Sequence, residues 1–253
     1  MPPIALLALA GLALAPLAAR ADDLANVCHA SSSYDLTITP NSLIFDRAEP
    51  APRRIDLHGG KASLDGVALR SNAEDADRLA LFEQDLRALM PKAKAVAASG
   101  VDLLGKAVHA EAVGLGLGAQ TQAELDARLA AHIGELKRRI AASTSTHDWQ
   151  GDAFDRYATE ITTEIAPLVV ADLGAQAVEA AVSGDLERAA SLREHSAMLG
   201  SGDLPARLEG HLQALRPQIL ALCPSIQRLY ELQRGVRDAH GRPLDLLEVD
   251  AAH

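Results

Sequence analysis

Aromatic side chains are scarce in this chain: three Phe, three Tyr and one Trp among 253 residues. Sugar clefts and base-stacking platforms both rely on flat aromatic faces, so carbohydrate and single-stranded nucleic acid are disfavoured as ligands. Positive charge is short as well, with 24 Lys+Arg against 34 Asp+Glu and a net charge of −10. Such a surface repels nucleic acid phosphates and anionic lipid headgroups, and serves solubility first. The nine histidines show no H-x-x-x-H or H-E-x-x-H spacing, so neither a metal nor another cofactor is expected. A G-x-S-x-G elbow is missing too, and nothing in the residue order supports a Ser/His/Asp triad. There is no internal repeat and no low-complexity tract.

Cysteine is limited to Cys28 and Cys223, at opposite ends of the chain. A reactive or metal-binding pair would come as C-x-x-C or with clustered His ligands, and neither is present. In an exported chain two cysteines read as a disulfide. The chain-entropy model gives roughly 5 kcal/mol for a loop that long.

Export is what the first residues announce. Ile4 to Leu17 is a nearly unbroken Leu/Ala run, followed by Ala19-Arg20-Ala21 with small residues at the −3 and −1 positions of a cut between Ala21 and Asp22. This is the core and A-x-A site of a signal peptide over residues 1–21, although no Lys or Arg precedes the core. A membrane anchor would need about 18 apolar residues, so no stable anchor is expected after cleavage. Losing Arg20 leaves the mature protein one unit more negative than the full chain.

Residues 22–70 read as a β-meander. Leu36 and Ile38 alternate with Thr37 and Thr39, Leu43-Ile44-Phe45 is a short apolar run, and Ile55 and Leu57 alternate with polar neighbours. Gly59-Gly60 and Asp65-Gly66 supply turns, while Ala48–Pro52 is an irregular connection. From Ser71 the period becomes helical over 71–253. Asn72 is the N-cap of a stripe Leu79, Phe82, Leu86, Leu89, and Pro91 restarts a helix carrying Val101, Leu104 and Val108. Leu125, Leu129, Leu136 and Ile140 mark the next helix. Phe154 to Leu168 marks another, which Pro167 should kink toward Val169 and Leu173. A short helix spans Leu186 to Met198, between Gly184 and Gly200-Ser201-Gly202. The longest pattern is Leu212, Leu215, Ile219, Leu222, Ile226, Leu229, a heptad-like seam interrupted by Pro217 and Pro224. The fold class is therefore α+β. A small N-terminal antiparallel sheet of three or four strands precedes five or six antiparallel helices, packed together as one domain and tied by the disulfide.

Candidate chemistry is thin. Gly114-Leu115-Gly116-Leu117-Gly118-Ala119 matches the dinucleotide fingerprint in letters, but a helix precedes it where a strand is needed, so it reads as a helix–helix connection. Asp148, Asp152 and Asp155 lack calcium-loop spacing. Asp172 falls on the apolar stripe of its helix with Glu179 seven residues on, so the two could serve as acid and base. The Pro167 kink should instead turn both toward water. Glu160 and Glu164 form another same-face pair, and His132 and His211 sit at stripe edges. Arg234, Arg237, His240 and Arg242 form a small basic end.

The signal peptide, the early Cys28, the hairpin segment ending Ser63-Leu64-Asp65-Gly66, the helix Asp85-Leu86-Arg87-Ala88-Leu89-Met90-Pro91 and the late Cys223 come in a distinctive order. In this order the chain resembles the YggN-like periplasmic proteins of Gram-negative bacteria, a family of unknown function. The resemblance implies a periplasmic location and carries over no catalytic or ligand residues. Together these features point to an exported, soluble, non-enzymatic binding, adaptor or chaperone-like module, whose partner is another envelope protein or a copy of itself. The alternative is a carboxylate-dependent hydrolase of envelope material using Asp172 and Glu179.

Overall fold

Tertiary organisation was taken from a computed structural model, which describes residues 26–149, 152–198, 213–238 and 240–249. The segment 1–21 and its cut at Ala21–Asp22, His211, Leu212 and the Gly200–Gly202 turn lie outside the described residues. In chain order the elements are β1 (Ala30–Ser31), β2 (Asp35–Ile38), β3 (Leu43–Asp46), β4 (Arg54–His58), β5 (Lys61–Leu64) and β6 (Val67–Ala68). Among the described residues the helices α1 (Ala73–Gly114), α2 (Ala119–Ala142), α3 (Asp152–Val182), α4 (Leu186–Met198), α5 (Arg216–Leu220) and α6 (Cys223–Gln233) follow, and β7 (Glu248–Val249) comes last. The fold is α+β. Two compact units form, a sheet unit from 24–97, 140–153 and 216–253, and a helical unit from 98–139 and 154–215.

In the sheet unit the strands run β2-β3-β4-β5-β6, all antiparallel. The three or four strands expected from alternation become five, because the Asp65-Gly66 turn returns the chain into the two-residue β6. Leu36, Leu43, Phe45, Ile55, Leu57 and Ala62 turn to one face and meet Leu79, Phe82, Leu86 and Leu89 of α1. A two-residue period along the strands thus meets a 3.6-residue period along the helix, which is how both bury their apolar sides. The free edge of β2 is covered by residues 144–146: Ile38 N–H donates to Thr144 O at 2.8 Å and Leu36 N–H to Thr146 Oγ1 at 2.9 Å. Glu83, 8% exposed, accepts the N–H groups of Gly59 and Gly60 and so locks the β4–β5 turn. The irregular 48–53 connection is gripped by Arg47, which donates to Pro50 O and Pro52 O and lies 4.1 Å over the Tyr34 ring.

Asn72 Oδ1 accepts Asp75 N–H at 2.8 Å, so the expected cap starts α1. Pro91 does not restart a helix: α1 runs through it for 42 residues. A proline removes one intrahelical bond, and the flanking turns are held by Leu86 and Leu89 before it and Val101 after it, all buried. The final seam departs further from expectation. It is no long helix but a 3-10 turn at Gln213–Leu215 followed by the short α5 and α6. Pro217 and Pro224 each stand at the second position of their helix, where a missing N–H costs nothing, so each opens a new segment. Beyond α6 the chain returns to the core. Val236, Leu244 and Leu246 are buried with the sheet residues, and β7 pairs with β1. Gln233, 2% exposed, binds the backbone of Leu247 with both ends of its amide, accepting its N–H at 2.9 Å and donating to its carbonyl. Cys28 and Cys223 are joined, with their Cα atoms 5.2 Å apart.

The helical unit has a smaller core. Ala112 of α1, Leu125 of α2, Val169, Leu173 and Ala177 of α3 and Leu192 of α4 converge. The face shift toward Val169 and Leu173 agrees with expectation, and α3 continues through Pro167.

Candidate functional site

The connection between α1 and α2 is short and glycine-rich because two close constraints meet there. Gly116 adopts φ +67°, open to glycine without strain, and its N–H closes the last turn of α1 on Val113 O. Gly118 precedes α2 at a point where an added Cβ would stand 3.1 Å from Asp172 Oδ1. Asp172 reaches across from α3. Its carboxylate accepts Gly118 N–H at 3.0 Å, Thr121 Oγ1–H at 2.7 Å and Gln176 Nε2–H at 2.6 Å. It is an N-cap supplied from another helix, and its charge faces the positive end of the α2 dipole. Partial burial alone would raise the Asp172 pKa and is the largest single influence. The three hydrogen bonds together outweigh it, leaving the carboxyl below the ordinary aspartate value.

Asp172 is thus not turned out to water, contrary to the expectation from a Pro167 kink, because α3 stays helical and the α2 N-terminus offers it donors. Glu179 is exposed. The two carboxylates stand seven residues apart, about 10 Å along a helix, and no contact gathers them around one point. Glu164 is exposed, as a solvent-face position should be, but it is not without partners. It lies 3.0 Å from His132 Nε2, and Arg128 donates to its backbone carbonyl at 3.0 Å. His109–Asp126 at 2.7 Å and Lys137–Asp102 at 2.8 Å tie α1 to α2 in the same way. Among the described residues no group of three or more His, Cys, Asp or Glu is placed to hold a metal ion. The basic end is largely engaged locally, Arg242 with Asp238 at 2.8 Å and Arg237 with Gly241 O at 2.8 Å.

Beside the Asp172 network lies an open cleft of about 460 Å³, whose lining includes Leu115, Gln176, Leu192 and the charged Asp185, Glu187 and Arg188. Gln176 links the two, donating also to Gly116 O at 3.2 Å. The α3–α4 hairpin that carries the cleft ends in a Schellman turn: Gly184 at φ +83° donates to Ala181 O, and Asp185 N–H to Ala180 O. Around this turn the apolar surface is bare. Val178, Val182 and Leu186 are 62%, 84% and 71% exposed, and Val170 is half-exposed. Thr159–Val182 is long and apolar enough to cross a membrane by length and composition, with a mean hydropathy of 1.5 and only 22% of its window buried. Its inner face packs through Val169, Leu173 and Ala177, and its midpoint carries the engaged Asp172.

A family model described as "Protein of unknown function (DUF2884)" matches residues 28–245. The chain belongs to that family. The match opens at Cys28 and closes one residue before the buried Leu246, so the DUF2884 region takes in both disulfide partners, the Asp172 network and the exposed hairpin. Neither the curated proteins nor the solved structures contain a match to the chain.

The exposed hairpin was missed by periodicity, which finds the buried face of a helix and stays silent about an apolar outer face. The signal was nonetheless present: no Lys or Arg occurs between Arg156 and Arg188, and from Ala166 on most of the outer positions are Ala, Gly, Pro and Val.

Proposed function

We propose that the protein is an exported, periplasmic member of the family, of the YggN-like kind of Gram-negative bacteria, acting as a non-enzymatic binding or adaptor module. The observation that carries this reading is the bare apolar face of α3 and the α3–α4 turn. Large exposed aliphatic groups clustered on one element are uncommon on a protein without a partner. Each is worth roughly 1.5–3 kcal/mol when fully covered, enough in combination to drive association. The Cys28–Cys223 bond fits an oxidising compartment. An acid–base role for Asp172 has less support. Its hydrogen bonds hold it ionised, whereas a general acid or base is tuned toward the working pH.

The test is a photo-crosslinking amino acid placed at Val178 or Val182 in the cell that makes the protein. One recurrent protein adduct is expected from these sites and none from Val67, which is equally bare on the sheet unit. Failure of both hairpin sites to trap any protein overturns the reading.

A further inference from the structure

The outer face of α3 has a definite chemical layout. Pro167, Ala171, Gly174, Val178 and Val182 recur every three or four residues and are all exposed, forming an apolar strip about 24 Å long at 1.5 Å per residue. The charge bordering the strip is net negative, even with Arg188 beside Glu187 included. Glu160 is exposed two helical turns before it, Glu179 along its flank and Glu187 five residues past its end. The first basic residue after Arg156 is Arg188. The other carboxylates of the stretch, Glu164, Asp172 and Asp185, already accept hydrogen bonds within the helical unit.

We infer that this face binds an apolar helical segment of a second protein that carries Lys or Arg at both ends. The inference rests on the binding-module reading of the same face and names its partner. Complementarity selects among the possible occupants. An anionic bilayer would set negative headgroups against Glu160, Glu179 and Glu187, and a second copy would set the same carboxylates against one another; like charges facing each other work against both. A cationic-ended helix meets them with opposite sign. The negative end of the α3 dipole, at Val182, favours a cation there as well. Small residues at Ala171, Gly174 and Ala175 let a partner backbone approach closely.

The test uses the purified full chain with its disulfide intact and two synthetic peptides sharing one Leu/Ala helical centre, one flanked by lysines and the other by glutamates. Fluorescence anisotropy should give at least about tenfold tighter binding of the lysine peptide, with the preference shrinking as salt rises. Val178→Ser with Val182→Ser should weaken it about tenfold, and Glu179→Gln with Glu187→Gln should erase most of the preference while leaving the far-ultraviolet circular dichroism unchanged. Equal binding of both peptides, no binding of either, or indifference to these variants overturns the inference. So does binding to phosphatidylglycerol vesicles in place of the peptide, or a dimer that the valine variants dissolve. If crosslinks at Val182 trap a partner while the peptides show no charge preference, the binding-module reading stands and only this inference falls.

Discussion

Removing the Asp172 carboxylate should loosen the start of α2, fifty residues away in sequence. Asp172→Ala deprives Gly118 N–H, Thr121 Oγ1–H and the Gln176 amide of their shared acceptor. A lost N-cap costs about 1 kcal/mol, and hydrogen bonds to a charged group contribute about 1.5–3 kcal/mol each. Asp172 is only partly buried, so water replaces much of this, and a loss of about 2–3 kcal/mol is expected. Asp172→Asn should lose somewhat less, since one oxygen remains while the new NH2 confronts a donor. The sign with pH follows from the lowered pKa. The contribution is full above the unfolded-state aspartate value of about 3.9 and disappears as the pH falls through the lower folded value, so the variant and the parent should converge in stability at strongly acid pH. Hydrogen exchange measured by mass spectrometry on peptides covering 115–125 reads the effect locally, and urea unfolding followed by circular dichroism reads it globally. Adding Thr121→Val to Asp172→Asn should reveal a coupling of about 1 kcal/mol. Unchanged exchange at 115–125, or a stability change under about 0.3 kcal/mol, refutes the capping role. An Asp172→Asn chain as stable as its parent but stripped of a hydrolytic activity would restore the carboxylate to catalysis.

Three further outcomes follow from the sheet unit. Cys28→Ser with Cys223→Ser should cost up to about 5 kcal/mol by loop closure over a separation of 195 residues, read by calorimetry; a melting temperature unchanged by reduction refutes this. Gly60→Ala should cost about 2–3 kcal/mol, because its Cβ would stand 2.4 Å from Ala76 O and φ is +76°, whereas Gly59→Ala at φ +56° with open space should cost only about 1 kcal/mol. Denaturant midpoints that fail to separate these two would show that the turn relaxes freely. Gln233→Leu should cost about 2–4 kcal/mol by stranding the N–H and C=O of Leu247, with faster exchange of that amide as the accompanying sign.

Those features that rest on neighbours in sequence were legible. Alternation at Leu36–Ile38 and Ile55–Leu57, the Gly59-Gly60 turn, the Asn72 cap and the bounds of the Leu186–Met198 helix all express local rules, and all are found in the structure. What was not legible depends on partners far along the chain. Pro91 and Pro167 look like breaks, yet the helix runs on through each. Pro217 and Pro224 look like kinks in one helix, yet each sits where a helix can begin. Asp172 could be placed on an apolar stripe, but no spacing rule says that its acceptors would find the N-terminus of another helix. Gln233 gave no signal, since a buried glutamine is identified only by the backbone it satisfies.

The sheet unit is drawn from three separated stretches of chain, and this imposes an order on its folding. β1 pairs with β7 in a two-stranded sheet of their own, and Leu244 and Leu246 are buried in the same core as Leu36 and Phe45. The start of α1 covers the sheet's hydrophobic face, but the whole helical unit must be synthesised before Val236, Leu244 and Leu246 can complete that core. Such non-local closure is slow. Until then the meander and the start of α1 hold a core that still lacks the buried side chains of the last segment. Chains truncated before Leu244 should lose the β1–β7 pairing and two buried leucines and be markedly less stable, so completeness of translation is read out as stability.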